Sequence, residues 1–478
     1  MINVKTFRGL QVAVLGLARS GLATAIALRE SGASVLAWDD SLSARQTAQA
    51  EGIETKIFDD VEWANVDALI VSPGVPLYFP KPNPIVEKAR AANVEILGDI
   101  EMLARSQTSA RFMGVTGTNG KSTTTALISH ILKGAGNNIE VGGNLGMAAL
   151  TLAPLENGDF YVLEMSSYQL DLTSSLVWDI SVLLNLSPDH LERHGDMEGY
   201  VQAKLRIFDQ QNETGTAIIG VDDKWSQEIH HNLKTGAARQ VIPVSVLKAE
   251  AGGVYVEGEM LIDDIDGNKK PICSLADIST LPGTHNKQNA CAAYAAARTA
   301  GLSVADIIEG LKSFPGLAHR QEMVDVVDGI SYVNDSKATN AEAAAMALAS
   351  YHNIFWIIGG QAKQDGIQSL VGKLDNVVHA FLIGEAAPEF AHQLKGHVDY
   401  TESGTLDQAL EDARAKATGQ DGKPVVLLSP ACASFDQFAS FEARGDHFRE
   451  LVRSLPGEHL PPLGIANDDQ HQTNGEAA

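Results

Sequence analysis

Short apolar runs rich in β-branched residues alternate with alanine-rich helical stretches along almost the whole chain. A strand buried on both faces reads as a continuous apolar run, and its parallel neighbour is reached through a crossover helix. The alternation therefore dictates βα units on parallel sheets. Three sets separate. The first holds Gln11-Val-Ala-Val-Leu15, Ser34-Val-Leu-Ala-Trp38 and Ala68-Leu-Ile-Val71. The second opens at Arg111-Phe-Met-Gly-Val115 and includes Phe160-Tyr-Val-Leu163 and Ile180-Ser-Val-Leu-Leu184. The third contains Ile330-Ser-Tyr-Val333, Ile354-Phe-Trp-Ile-Ile358, Ala380-Phe-Leu-Ile383 and Pro424-Val-Val-Leu-Leu428. Breaks fall after Leu97-Gly98-Asp99, where a capping pattern opens a helix, and at Phe314-Pro315-Gly316, a turn that ends one. A length of 478 residues accommodates about three domains. The expectation is an α/β protein with a Rossmann-like domain over 1–98, a central, mostly parallel sheet domain over 99–315 and a C-terminal Rossmann-like domain over 316–456. Residues 457–478 are polar, contain proline and lack periodicity, and predict a disordered tail.

Charge and cysteine usage narrow the partners. The chain carries 36 Lys and Arg against 60 Asp and Glu, a net charge of −24, which argues against nucleic acid or an anionic membrane face as partner. No run approaches the ~20 apolar residues of a spanning helix. Lys5, Arg8 and Ala23-Thr-Ala25 mimic a signal peptide, but Gly16, Arg19 and Gly21 interrupt the apolar run. Cys273, Cys291 and Cys432 are too scattered for a disulfide framework, so a reducing cytoplasm is expected; the chain is also expected to be a monomer.

The sharpest local signal is Gly114-Val-Thr-Gly-Thr-Asn-Gly-Lys-Ser-Thr123. A strand feeds it, and a helix with Leu127, Ile128, Ile131 and Leu132 on one side leaves it. Backbone N–H groups of such a turn and the helix N-terminus form an anion cradle. Gly117 and Gly120 permit close approach of phosphate, with Thr118 and Asn119 between them; Lys121 neutralises the β and γ phosphates, and Ser122 or Thr123 holds Mg²⁺. The site expected is for ATP, on a P-loop ATPase-like domain. A strict Walker A motif has glycine six positions before the lysine; Val115 stands there, so the loop is a variant.

A second glycine loop, Gly16-Leu-Ala-Arg-Ser-Gly21, follows the first strand, with Asp39 and Asp40 ending the next. This nearly satisfies the dinucleotide fingerprint, but Ala18 replaces the glycine that lets backbone approach a pyrophosphate, which weakens a redox NAD reading.

Further along the chain stand Leu163-Glu-Met-Ser-Ser-Tyr-Gln169, Asn185-Leu-Ser-Pro-Asp-His190, Ala203-Lys-Leu-Arg206, Gly283-Thr-His-Asn-Lys-Gln-Asn289, His319-Arg320 and Asn334-Asp-Ser-Lys-Ala-Thr-Asn340. Together with the variant loop these fragments resemble the Mur ligases, the amide-forming enzymes that build the peptidoglycan stem peptide. Gly359-Gly360 with Lys363, and Ser429-Pro-Ala-Cys-Ala-Ser-Phe-Asp436, narrow the resemblance to the members that add glutamate to UDP-N-acetylmuramoyl-L-alanine. The resemblance implies that the first loop holds the UDP part, through Gly16, Leu17, Arg19 and Ser20, with Asp39 and Gly74 nearby and Asn144 and His190 against the rest of that substrate. It implies Mg²⁺ ligation by Ser122 and Glu164, a second metal position served by His190, and CO₂ carbamylation of Lys204 into a carboxylate-like ligand. By composition alone Lys204 is a solvated helix lysine, and carbamylation demands a lowered pKa, since only the neutral amine reacts. His190 and His194 also have the i, i+4 spacing of a zinc pair, against which Pro188 interrupts the helix and Glu192 is out of the H-E-x-x-H register.

Asn289, Arg320, Asp335 and Lys337 resemble ATP contacts. Asp335 and Lys337, Lys363, and Ser434 with Phe435 follow three different strands, so their loops converge if the third sheet is doubly wound. A dicarboxylate wants a cation, hydroxyl donors and an apolar wall. Lys363, Thr339, Ser434, Phe435 and Phe441 supply that set and match the glutamate pocket of the family. The implied reaction passes the γ-phosphate of ATP to a carboxylate, and the amine of D-glutamate then displaces phosphate from the acyl phosphate.

Overall fold

A computed structural model of the chain describes residues 1–460 apart from 210, 212–213, 237–238, 279 and 363–365. Three sheets are present among them. The first is four-stranded, in the order β2 (Ser34–Trp38), β1 (Gln11–Leu15), β3 (Ala68–Val71), β4 (Glu95–Leu97), and wholly parallel. Alternate residues of β1 serve opposite faces: Val12 and Val14 belong to one core, Ala13 and Leu15 to another. That two-residue alternation explains why the strand is an unbroken apolar run.

The second sheet has nine strands: β5 (Arg111–Thr116), β6 (Ile139–Gly143), β7 (Phe160–Glu164), β8 (Ile180–Leu183), β9 (Thr216–Gly220), β10 (Gln240–Ser245), β11 (Val254–Glu257), β12 (Met260–Asp263) and β13 (Lys270–Ser274). Their order is β13-β12-β11-β10-β9-β8-β5-β7-β6, parallel except at β11-β12 and β12-β13. From β5 the chain passes over β7 to reach β6, and from β7 it passes over β5 to reach β8. The crossings reverse beside β5 and β7, where open parallel sheets place their ligand crevice. Register aligns the strand ends there, with Glu164 opposite both Val115 and Gly143, and Leu183 opposite Thr116. One apolar core runs from Val12 and Val14 to Leu163, Leu183 and Ile219, so the first two sheets share a single compact unit, residues 1–275 with 287–311.

The other unit comprises residues 276–286 and those from 312 onward. Its six-stranded sheet contains β14 (Glu322–Val327), β15 (Ile330–Asn334), β16 (Ile354–Gly359), β17 (Val377–Ile383), β18 (Tyr400–Gly404) and β19 (Val425–Leu428), in the order β14-β15-β19-β16-β17-β18. All pairs are parallel except the β14-β15 hairpin. In β16, Ile354, Trp356 and Ile358 face one core, and Phe355 and Ile357 the other.

One expectation changes. Residues 457–460 are not a free tail: Glu458 N–H donates to Asp328 Oδ1 at 2.9 Å, and Leu460 N–H donates to Val326 O at 2.9 Å, so the segment covers the open edge of β14. Residues 461–478 lie outside the described residues. The signal-peptide mimic is the strand and helix of a βα unit, Gln11–Leu15 and Arg19–Glu30. Among the described residues no helix is long and apolar enough to cross a membrane.

Candidate active site

The loop between β5 and the helix Lys121–Gly134 is shaped by two glycines, with φ +145° at Gly117 and +87° at Gly120. A Cβ at Gly120 would sit 2.2 Å from Asn289 Oδ1, so only glycine lets the turn lie against that side chain. Asn289, expected against ATP, is buried behind the loop, where its Oδ1 accepts from Thr124 Oγ1 at 3.1 Å. Asn185 braces the loop from β8, its Oδ1 accepting from the Asn119 N–H at 2.9 Å. Leu127, Ile128, Ile131 and Leu132 are all buried, which anchors the helix whose N-terminus the loop opens.

Two lysines meet at one carbonyl. Lys121 Nζ donates to Gly117 O at 2.9 Å and to Thr118 O at 2.8 Å. Lys204 Nζ donates to the same Gly117 O at 3.0 Å and to Thr116 Oγ1 at 3.3 Å. The reading of Lys204 as a solvated lysine is overturned, since only 2% of it is exposed. Its helix, Met197–Leu205, exposes Glu198 and Gln202 but buries Tyr200, Val201 and Ala203, and Lys204 lies on that buried face. Burial first, and then the charge of Lys121, push the Lys204 pKa well below its usual range, while Asp189 and Glu164 oppose the shift. Tyr200, buried beneath it, has its hydroxyl 3.1 Å from Thr118 Oγ1.

Glu164 ends β7 with 2% exposure. Its Oε1 accepts from Asn144 Nδ2 at 2.6 Å, and its backbone carbonyl accepts from the Asn144 N–H at 2.9 Å. Its Oε2 is buried with no hydrogen-bond partner among the described residues. Leaving a charged oxygen dry and unpaired is unfavourable by at least about 1–3 kcal/mol, and a divalent cation is the species that would satisfy it. The donor set therefore fits Mg²⁺, with Ser122 and Glu164 as protein oxygens. Among the described residues no three His, Cys, Asp or Glu side chains converge, so the remaining oxygens would come from phosphates, water or a modified lysine.

His190 stands at φ +52° before the short helix Leu191–His194, with its side chain half exposed and its ring 5.2 Å from that of Tyr168. The zinc pair does not form. His190 precedes the helix rather than lying on it, and His194 is buried with Nε2 2.9 Å from Ser167 Oγ. Burial and the nearby cations push the His194 pKa down to about 4, so this ring is neutral.

In the first glycine loop Gly16 has φ +91°, and a Cβ there would meet Ser72 Cβ at 2.7 Å. Both Asp39 oxygens are engaged by backbone: Oδ2 accepts from the Leu17 N–H at 2.6 Å and Oδ1 from the Ser41 N–H at 2.8 Å. The acid therefore shapes the loop. Arg19 is exposed at the start of its helix with Ser20 beside it, and Gly74 O accepts from Arg193 Nη1 at 2.7 Å.

In the other unit β15, β19 and β16 are adjacent and parallel, so the loops that follow them leave one edge together. Asp335 is buried, accepting from Ser429 Oγ at 2.8 Å and from the Gln321 N–H at 3.1 Å. Burial raises its pKa to about 7, against the hydrogen bonds from Ser429 and Gln321 and the charge of Arg320. Lys337 Nζ lies 5.4 Å over the ring of Phe441, the first residue of the helix Phe441–Arg453, and Thr339 is half-buried with its N–H on Lys337 O. Ser434 is buried, and its Oγ has no partner among the described residues. Phe435, expected as an apolar wall, is instead 69% exposed. The N–H groups of Gln437 and Phe438 both turn back onto Ser434 O, which leaves Phe435 at the outer corner. Lys363 lies outside the described residues.

Several residues that organise these clusters went unread in the sequence. Arg444, 1% exposed, donates to Ser336 O at 2.9 Å, Ser336 Oγ at 3.0 Å and Cys432 O at 3.1 Å, and so locks two of the three loops. Thr116, Tyr168, Tyr200 and Arg193 do equivalent work in the first unit. Their motifs flank the expected residues, but no spacing rule marks them.

An α/β chain with three mostly parallel sheets, the second of which carries a phosphate loop, is thus defined. A Mur ligase middle domain model matches residues 115–297, and a Mur ligase glutamate ligase domain model matches residues 319–432. The UDP-N-acetylmuramoylalanine--D-glutamate ligase of Phenylobacterium zucineum is 50% identical over 461 residues, covering 95% of this chain and 98% of its own. The protein of the same name from Paramagnetospirillum magneticum is 50% identical over 457 residues, covering 95% and 99%. The crystal structure of UDP-N-acetylmuramate-alanine ligase from Thermotoga maritima superposes with a TM-score of 0.56 at 18% identity over 93% of this chain and 99% of its own, a likeness of fold. The chain belongs to the Mur ligase family.

Proposed function

We propose that this chain is an ATP-dependent ligase that joins D-glutamate to UDP-N-acetylmuramoyl-L-alanine in peptidoglycan precursor synthesis. The names and near-complete coverage of its relatives support the substrates. The observation that carries the chemistry is the cluster at the strand ends of β5 and β7: a phosphate loop, Lys121, a buried Lys204, and a buried Glu164 with one oxygen unpaired. The proposed division of labour is UDP binding by 1–98, ATP binding by 99–315 and amino-acid binding by 316–456. A nucleotide-linked substrate and ATP support a cytoplasmic location for the reaction.

In the first step the carboxylate oxygen of the alanyl substrate attacks the γ-phosphorus of ATP; the bond to the β–γ bridging oxygen breaks, and ADP leaves with that electron pair. Lys121 and the loop N–H groups hold the transferring phosphoryl, and Asn144 holds Glu164 in place. Mg²⁺, bound through Ser122 and Glu164, would supply charge neutralisation between two anionic reactants. His190 and carbamylated Lys204 would hold a second such ion. In the second step the glutamate amine attacks the acyl carbon, a tetrahedral intermediate forms, and phosphate leaves with its C–O bond electrons while the nitrogen loses a proton. Thr339, Lys363, Ser434 and Phe441 receive the dicarboxylate, and Asn289, Arg320, Asp335 and Lys337 serve the nucleotide.

Lys204 is carbamylated in the working enzyme. Its depressed pKa raises the fraction of neutral amine, and addition to CO₂ replaces a buried cation beside Lys121 with a buried anion. The Lys121–Lys204 repulsion then becomes attraction.

Phosphate release is the test. It is expected only with ATP, UDP-N-acetylmuramoyl-L-alanine and D-glutamate all present, with L-glutamate as the control for chirality. No release in the full mixture overturns the function. Lys204→Ala is expected to lose activity, and wild type stripped of CO₂ is expected to regain it with bicarbonate; undiminished activity in the variant overturns the carbamate.

A further inference from the structure

The short helix after His190 carries a guanidinium that the mechanism above does not use. Arg193 Nη1 donates to Gly74 O at 2.7 Å, and Nη2 donates to Val75 O at 3.1 Å and to Pro73 O at 3.4 Å. Three successive carbonyls of one loop thus converge on one planar cation. The face of that cation lies 4.5 Å above the ring of Tyr168. Tyr168 follows Glu164 by four residues, and its ring also packs against His190 at 5.2 Å and His194 at 5.6 Å. The carbonyl loop, in turn, is fastened to the first glycine loop by Ser72 Oγ, which donates to Gly16 O at 3.0 Å.

We propose that Arg193 is a positioning residue that couples the UDP-side loop at 73–75 to His190 and to the Glu164 end of β7. The proposal rests on the substrate assignment above. Arg193 touches neither phosphate loop nor glycine loop itself, so it acts through the backbone it holds. A flexible carbonyl loop has no fixed geometry of its own, and a fork of donors aimed at three of its oxygens gives it one. The stacked tyrosine fixes the fork in turn, because a guanidinium stacks on an aromatic face while donating in its own plane. A UDP substrate seated against Gly16 and Gly74 therefore meets a loop whose position is already tied to the residue that faces its reacting end. Lysine cannot replace this arrangement: it keeps the charge but loses both the planar fork and the stacking.

The experiment is steady-state phosphate release by wild type, Arg193→Lys and Arg193→Gln, with each substrate varied in turn and the melting temperature recorded. Both variants are expected to raise KM for UDP-N-acetylmuramoyl-L-alanine by about tenfold and to lower kcat by a similar factor, because charge-assisted donors to the loop are lost. KM for ATP is expected to stay within about twofold, since the phosphate loop is untouched. In a His190→Ala background Arg193→Lys is expected to lower kcat no further, the mark of a residue that acts through its partner. Unchanged kinetics in both variants overturn the proposal. So does a loss of active protein with every KM at its wild-type value, or an additive double variant, since those results describe a merely structural arginine. If Arg193→Gln does not fold, Arg193→Lys carries the same comparison. A wild type that releases no phosphate overturns the function assigned above, whereas an active wild type with indifferent Arg193 variants overturns only the coupling.

Discussion

The chain contains two glycine loops of the same build, and their surroundings differ. Each follows a parallel strand, opens a helix, and takes positive φ where a side chain would collide: +91° at Gly16 and +87° at Gly120. Around the first, a carboxylate ties down backbone N–H groups, and the cation, Arg19, is exposed. Around the second, Lys121 and buried Lys204 share Gly117 O, and Glu164 lies at the level of Val115 in the neighbouring strand with an unpaired oxygen. Backbone dipoles suffice to hold a pyrophosphate that keeps its charge throughout. A phosphoryl group in transfer redistributes charge, and only groups placed beforehand and kept dry stabilise that change. In the proposed function the first loop holds and the second carries the chemistry.

The comparison breaks most readily at Lys121. Lys121→Ala is expected to lower kcat by about 10³-fold, the effect of removing a preorganised charge from a phosphoryl-transfer site, with KM for the UDP substrate little changed. Rates within an order of magnitude of wild type would remove the distinction between the loops. Glu164→Gln is expected to lower kcat by about 10²-fold and to raise the Mg²⁺ concentration needed for half activity, because an amide is a poorer ligand for a hard cation than a carboxylate. An unchanged Mg²⁺ dependence would take Glu164 out of the metal site.

The first loop should respond differently. Asp39→Asn leaves one acceptor oxygen where two were used, so either the Leu17 or the Ser41 N–H loses its partner. A lost hydrogen bond to a charged acceptor is worth about 1.5 kcal/mol, which predicts a KM for the UDP substrate raised by about tenfold with kcat unchanged. A fall in kcat with KM constant would place Asp39 in the chemistry and merge the two loops' roles.

What was legible in the sequence divides along the same line. Strands buried on both faces announce themselves as apolar runs, so Val12, Leu163, Ile357 and Leu427 fall where the runs put them. The phosphate loop is legible because the glycines, lysine and hydroxyls it needs are consecutive. Lys204 was not legible from its own helix, because it shares the buried face with Tyr200, Val201 and Ala203 while Glu198 and Gln202 take the wet side where a lysine is ordinarily read. Arg193 and Arg444 owe their roles to carbonyls 118 or 108 positions away, a relation no local pattern encodes. Phe435 was misread because a turn closed by Ser434 O decides which way it faces, and apolar character alone does not.

The smallest effect tests whether the second loop keeps its buried cation for function alone. Lys204 has a pKa well below its ordinary 10.5 because the ammonium is desolvated beside Lys121. The unfolded chain therefore binds this proton more tightly than the folded one, and folding loses stability as pH falls below 10.5 toward the depressed value. Methionine fills similar volume without a charge. Its loss of donors strands nothing, since Gly117 O keeps Lys121 and Thr116 Oγ1 keeps its bond to Met165 O. In CO₂-free buffer Lys204→Met is thus expected to melt about 2–4 °C higher than wild type near pH 6.5, with a smaller gain near pH 9. Calorimetry at the two pH values decides the matter. A variant less stable at both would mean that the lysine's hydrogen bonds outweigh its desolvation, and the unmodified ammonium would then help to hold the site together.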